Sequence, residues 1–142
     1  MAYSSISDIE KSITTEELAI LTGDPTGNAV NTVMVDYAIT AADVIIDAYM
    51  GNVYEIPLSP SVPDIIERFS TDLAVVFLYE FAYRDSELPL TIYSARKNLF
   101  YMLENIRTGK LKIPGLEYKG GFIEVSKTQT ERTITEDDLN LI

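Results

Sequence analysis

The chain contains no cysteine and no histidine. Without cysteine there is no disulfide framework and no thiol chemistry, which fits a reducing compartment. Without histidine the usual general base, a common zinc ligand and the commonest pH switch are all missing, and so is the ordinary serine triad. Positive charge is scarce: 11 Lys and Arg stand against 22 Asp and Glu, a formal net charge of −11. Gripping nucleic acid depends on neutralising phosphates, so an acidic body is poorly suited to it. Such a body could instead line a passage through which DNA slides without sticking. The amino terminus lacks a basic start followed by an apolar run, so no secretory signal is expected. The longest apolar run, residues 73–79, is closed by Asp72 and Glu80 and is far short of a membrane span.

Hydrophobic residues make up 46 % of the 142 positions, enough for one domain with a sizeable core. Ser7-Asp8-Ile9-Glu10 fits a capping box opening a short helix to about Ile13, and Thr14-Thr15-Glu16-Glu17 opens a second, residues 16–21. Gly23-Asp24-Pro25-Thr26-Gly27-Asn28 reads as a turn, because the alternating ligands and terminal Glu of a calcium loop are missing. The spacing predicts a helix over residues 31–50 with Met34, Tyr37, Ala38, Ala41, Ile45 and Ala48 on its packing stripe.

A stiff corner follows. Gly51 is expected to end the helix in the left-handed region. Pro57, Pro60 and Pro63 bias the residues before them towards extended backbone, and Ser61 is placed to cap the next helix. That helix, residues 62–83, carries Ile66, Phe69, Leu73, Val76, Phe77 and Phe81 on one stripe, and its middle is apolar all round. A helix apolar on every face is buried on every face, so it should be central or covered by a neighbouring subunit. A third helix, residues 91–107, presents Ala95, Leu99, Met102, Leu103 and Ile106, and Gly109 ends it. The basic residues Arg96, Lys97, Arg107, Lys110 and Lys112 gather there.

Beyond Ile113 the pattern changes. Gly120-Gly121 breaks any helix and is no phosphate cradle, since neither a Walker spacing nor a following helix is present. Residues 122–126 read as a short strand, which has no sheet to join on a helical body and therefore suggests a partner. The expected fold is all-α: a compact bundle of three main helices plus short N-terminal helices over residues 1–112, with an extended C-terminal arm, residues 113–142, containing a short β-strand.

Two carboxylate pairs invite a metal reading. Asp43 and Asp47 lie four apart on one helix, and Asp64 and Glu67 open the next. Magnesium sites need several carboxylates converging inside a bundle, whereas these pairs flank the apolar stripes, and a solvated face is the expectation. Nine tyrosines, several on helices, are expected in core or subunit contacts.

The start Met1-Ala2-Tyr3, the helix end Tyr49-Met50-Gly51, the corner Val53-Tyr54-Glu55-Ile56-Pro57-Leu58, the segment Pro63-Asp64-Ile65-Ile66-Glu67-Arg68, and Leu103-Glu104-Asn105-Ile106 before Gly109-Lys110-Leu111 together resemble the Mu-like phage head-completion proteins, small helical head-to-tail connectors of tailed phages. The likeness covers residues 1–111. It departs at residues 23–28, where family members often carry several aspartates and this chain has only Asp24, so an ion site there is not implied.

The resemblance implies a virion protein of the capsid–tail neck, assembled in the host cytoplasm, with no enzymatic activity, no cofactor and no membrane. It implies a ring of twelve copies under the portal protein that extends the DNA channel and receives the next neck or tail-completion protein. The arm then becomes the portal- or neighbour-gripping element, through Phe122, Ile123, Glu124, Val125, Arg132, Ile134, Leu139 and Leu141, by strand addition or folding on binding. Asn52, Tyr54 and Pro57 would present the corner to a neighbouring subunit or neck component. Two other readings remain: an acidic helical regulator that masks a basic partner, and a carboxylate–metal helical hydrolase using Asp43, Asp47, Asp64 and Glu67.

Overall fold

The computed structural model describes residues 2–56, 58 and 61–119. Among them are five helices: α1 (Ile6–Ser12), α2 (Thr15–Leu21), α3 (Thr32–Met50), α4 (Asp64–Ala82) and α5 (Leu90–Arg107). The all-α body expected from the sequence is what forms. The strand expected at residues 122–126 lies outside the described residues.

Helix starts follow local side-chain chemistry. Ser5 caps α1: Asp8 N–H donates to Ser5 Oγ at 3.3 Å and Ser5 N–H donates to Asp8 Oδ2 at 2.9 Å. The capping box therefore lies two residues earlier than Ser7 to Glu10, because the carboxylate at the third helical position is Asp8. Thr14 caps α2 as expected, accepting from Glu17 N–H at 3.1 Å. Asn31 caps α3 by accepting from Val33 and Met34 amides.

At α4 the expectation of a Ser61 cap is corrected. Pro63 holds the N-cap position with extended backbone and no side-chain hydrogen bond. Asp64 and Glu67 sit in the first turn instead, where negative charge suits the helix dipole.

α3 and α4 run antiparallel across the proline corner, with Tyr37 near the start of α3 against Phe81 near the end of α4, ring centroids 5.6 Å apart. α4 touches each of the other four helices, and Leu73, Ala74, Val76 and Leu78 are buried in its middle. It is central, as its apolarity predicts, but it is not buried on every face, since Val75 and Phe77 stay half-buried. Its far end is tied to α2 by Tyr79, whose hydroxyl donates to the Glu17 carboxylate at 2.8 Å. Burial and that bond push the Tyr79 hydroxyl up to about 12, so it stays protonated and donating at neutral pH.

The packing stripe of α3 differs from the expected one. Val35, Ala38, Ile39, Ala42, Ile46 and Met50 are buried, whereas Tyr37 and Ala48 are exposed and Met34, Ala41 and Ile45 only half-buried. α3 carries two apolar stripes about 100° or more apart, and periodicity alone does not say which faces the core.

Gly51 is a second correction. Its backbone is right-handed, φ −61° and ψ −22°, so it is not a left-handed stop. A Cβ here would sit 3.1 Å from the Asp47 carbonyl oxygen and 3.5 Å from Ile56 Cδ1, so the glycine serves close approach. The amides of Val53 and Tyr54 both donate to Met50 O and coil the chain away. Gly109 does take the left-handed conformation, φ +86°, and ends α5; a Cβ there would lie 2.5 Å from Tyr118 Oη.

Leu73 is fully buried at the centre of α4. Leu73→Ala should cost about 2–5 kcal/mol of stability through lost burial and the cavity left behind, read as a lower urea midpoint with unchanged helical circular dichroism below it. Ser94→Ala, at an exposed position of α5, should leave the midpoint within about 0.5 kcal/mol.

Candidate interaction surfaces

The proline corner is locked from inside. Tyr54 is 1 % exposed, and its hydroxyl accepts from the Ile113 amide at 2.7 Å. Tyr118 packs edge-on against the Tyr54 ring at 5.8 Å, with Lys112 Nζ 4.6 Å from the Tyr118 ring centre. Lys119 N–H donates to Val53 O at 2.8 Å, and Lys119 Nζ lies 3.6 Å from Glu55.

Two expectations change here. Tyr54 is not a surface contact: its ring fills the gap between the corner and the segment after α5, and a polar hydroxyl buried there needs the Ile113 amide. Packing also does not stop at residue 112, since residues 113–119 fold back onto the corner and Ile113 is buried. Asn52 is exposed on the outer side of the turn. Pro57 lies outside the described residues, as do Phe122, Ile123, Glu124, Val125, Arg132, Ile134, Leu139 and Leu141.

A second lock holds the amino terminus. Tyr3 N–H donates to Asp43 Oδ2 at 2.9 Å and its hydroxyl donates to Asp47 Oδ1. Ser70 on α4 gives its only hydroxyl proton to Asp43 Oδ1 at 2.7 Å. Ser4 Oγ, 2.7 Å from Ser70 Oγ, must then be the donor in that pair. The relay Ser4 to Ser70 to Asp43 joins the chain start, α4 and α3 in a buried polar cluster. Asp43 was expected on a solvated face and is buried instead. Burial raises its carboxyl above the usual range despite the donors it gains, and burial and the bond to Asp47 push the Tyr3 hydroxyl well up.

This arrangement bears on the metal reading. Asp43 and Asp47 are engaged with Tyr3 and Ser70, while Asp64 and Glu67 line a separate groove of about 880 Å³ between α1, α4 and α5. Among the described residues no three potential metal-ligating carboxylates converge. The four residues of the hydrolase reading are not brought together. Asp24, the one aspartate of the loop before α3, accepts from Thr26 N–H and Oγ1, Asn28 N–H and Ala29 N–H. The Thr26 hydroxyl leads in holding its carboxyl below the usual range, and the turn reading stands.

The outer surface is where apolar residues are left over. Val33, Tyr37 and Val44 on α3, and Leu90, Tyr93 and Tyr101 on α5, are all more than half exposed. Near these faces Tyr49 packs edge-on against Phe100, Arg96 lies over the Phe100 ring, and Arg96 pairs with Glu80 at 2.7 Å. No helix among the described residues is long and apolar enough to cross a membrane.

The described body is thus held by two polar locks, one at the chain start and one at the corner, and carries apolar residues on its outer surface. The model of the bacteriophage Mu Gp36 family matches residues 3–120. The chain belongs to that family. It is a phage protein, of a kind consistent with a head-related, virion-associated component. The match ends one residue beyond Lys119, so it spans the corner clasp as well as the five helices. A search of curated proteins finds no match.

Sequence reasoning missed the two locks. Ser4 and Ser70 belong to no motif, and Tyr3 entered only through the resemblance of the chain start, with no contact implied. The signal available for Asp43 was its position: on α3 it lies next to the buried stripe of Ile39, Ala42 and Ile46.

Two substitutions test the locks. Tyr54→Phe leaves the buried Ile113 amide without its acceptor and should cost about 1–3 kcal/mol by urea denaturation. Asp43→Asn tests the raised carboxyl. A carboxyl that titrates higher in the folded state gives its full contribution below the unfolded aspartate value near 4 and loses it as pH rises through the folded value. Urea denaturation from pH 3 to 7 should therefore show wild type losing stability relative to Asp43→Asn as pH rises. A relative gain would contradict the burial argument.

Proposed function

We propose that this protein is a structural adaptor of the phage neck and that it works without catalysis. In this reading, copies form a ring of twelve beneath the portal protein, extend the DNA channel, and receive the next neck or tail-completion protein. The observation that carries it is the family match over residues 3–120, which takes in all five helices and both locks. The resemblance of the corner and helix ends to head-completion proteins supports the same reading. DNA passes without sequence-specific contact, and the net charge of −11 favours passage over adhesion.

The two locks suit this task. A ring subunit carries load through its body, and Tyr54 and Asp43 pin the corner and the chain start to the helices without exposing reactive groups. Residues 120–142 supply the portal-gripping element, by strand addition or folding on binding. A ring of identical head-to-tail contacts closes by rotation.

The test is truncation after Lys119, which keeps the bond from Lys119 to Val53. The shortened protein should retain its helical circular dichroism and its urea midpoint, yet fail to co-sediment with purified portal, while the full chain co-sediments. A truncated protein that binds portal as well as the full chain would refute the role given to the arm.

A further inference from the structure

α3 is apolar on the side turned away from its own core. Viewed down the axis at 100° per residue, the buried stripe centres near Ile46 and Ala42. The opposite side holds Val33, Val44 and Ala48, with Ala41 at one border, and Tyr37, which leans on Phe81 of α4 yet stays largely exposed. Val33 is 75 %, Tyr37 65 % and Val44 61 % exposed. The polar residues of α3 do not dilute this face. Asp43 and Asp47 are turned to the amino terminus, and Thr40 and Asp36 lie along one edge. The face is about 22 Å long. A contiguous exposed apolar stripe on a strongly charged chain marks an interaction surface.

α5 has an outward face of complementary kind. Leu90, 77 % exposed, and Tyr101, 67 % exposed, flank Lys97, with Tyr93 beside them. Five of the chain's 11 basic residues, Arg96, Lys97, Arg107, Lys110 and Lys112, belong to α5 and the turn after it. Neither Lys97 nor Asp36 has an ion-pair partner among the described residues.

We infer that the outward face of α3 in one copy docks on the outward face of α5 in the next copy. This rests on the ring reading above and names the two surfaces that would form it. The occupant follows from charge. Pairing two α3 faces about a two-fold axis would bring two acidic edges together, each carrying Asp36, whereas the α5 face sets Lys97 against that edge. On α5 Arg96 and Arg107 are already paired with Glu80 and Glu104, which leaves Lys97 as the cation of the outward face, set among Leu90, Tyr93 and Tyr101, an aromatic and aliphatic mixture with a charge suited to an interface. Different faces meeting head to tail propagate around a ring, as a self-paired face cannot. A stripe one helix wide is modest against the roughly 800 Å² per partner of standard interfaces. Single contacts are therefore weak, and ring closure, which grips each copy on both flanks, adds them through effective concentration.

The absence of native cysteine makes the test direct. Val44→Cys, Tyr93→Cys and Tyr101→Cys each add one thiol to an exposed position, and Ser86→Cys, on the exposed polar turn before α5, serves as the control. The variants are treated with a short bis-maleimide, both as concentrated free protein and mixed with portal. Val44→Cys mixed with Tyr93→Cys or Tyr101→Cys should give crosslinked dimers several-fold above Val44→Cys mixed with Ser86→Cys. Val44→Cys alone should not exceed that control. Strong self-crosslinking of Val44→Cys would overturn the proposal in favour of a two-fold contact. Mixed yields at control level in both preparations would overturn it in favour of a different molecule on the α3 face. Native mass spectrometry of the portal mixture separates this from the ring reading. A full complement of copies without the crosslink refutes the named surfaces alone, and the crosslink without a closed complement refutes the ring alone.

Discussion

The burial of α4 is the constraint on which the structure depends. Leu73, Ala74, Val76 and Leu78 are enclosed by α1, α2, α3 and α5, while Val75 and Phe77 between them are half-buried. A 19-residue helix packed along one side against all four neighbours takes up their inner faces. Whatever apolar surface the neighbours still carry is then turned outward, which is the position of α3. The outward character of α3 thus follows from the inward character of α4.

Enclosure by apolar packing sets where helices lie but leaves their connections free to shift, and the polar locks remove that freedom. Ser70 is fully buried on α4 and works only because Asp43 takes its proton and Ser4 gives one back. A buried polar group left unpaired is costly, so each member of the cluster holds the others in one arrangement. Tyr54 does the same for the corner with a single hydroxyl and one amide. A subunit whose corner and chain start cannot drift offers fixed outer surfaces, and fixed surfaces are what a closed ring of identical contacts requires.

The main helices were legible because their signals are strong and local: three long apolar periodicities, Thr14 at a helix start, and Gly109 at a helix end. The all-round apolarity of residues 73–79 even gave the central position of α4. Finer features were not legible, for identifiable reasons. α3 has two apolar stripes, and only contact with α4 decides which is buried. Ser5 rather than Ser7 caps α1 because an aspartate three residues on completes the box as well as a glutamate does. Gly51 was read from the commonest use of a helix-ending glycine, whereas here it answers the nearness of the Asp47 carbonyl. Tyr54 was read as exposed because nothing local reveals that residues 113–119 return to cover it, a contact 59 residues away in sequence. Asp43 was read as solvated because its two hydrogen-bond partners, Tyr3 and Ser70, lie on the chain start and on α4.

The proposed role has this helical body, apolar on its outer flank, standing beside copies of itself on a portal. Electron microscopy of the full chain mixed with purified portal tests it most directly. The account predicts a continuous ring of density on one end of the portal, with helices α3 and α5 of adjacent copies side by side. A portal that remains bare at concentrations where the helical body is fully folded would contradict it.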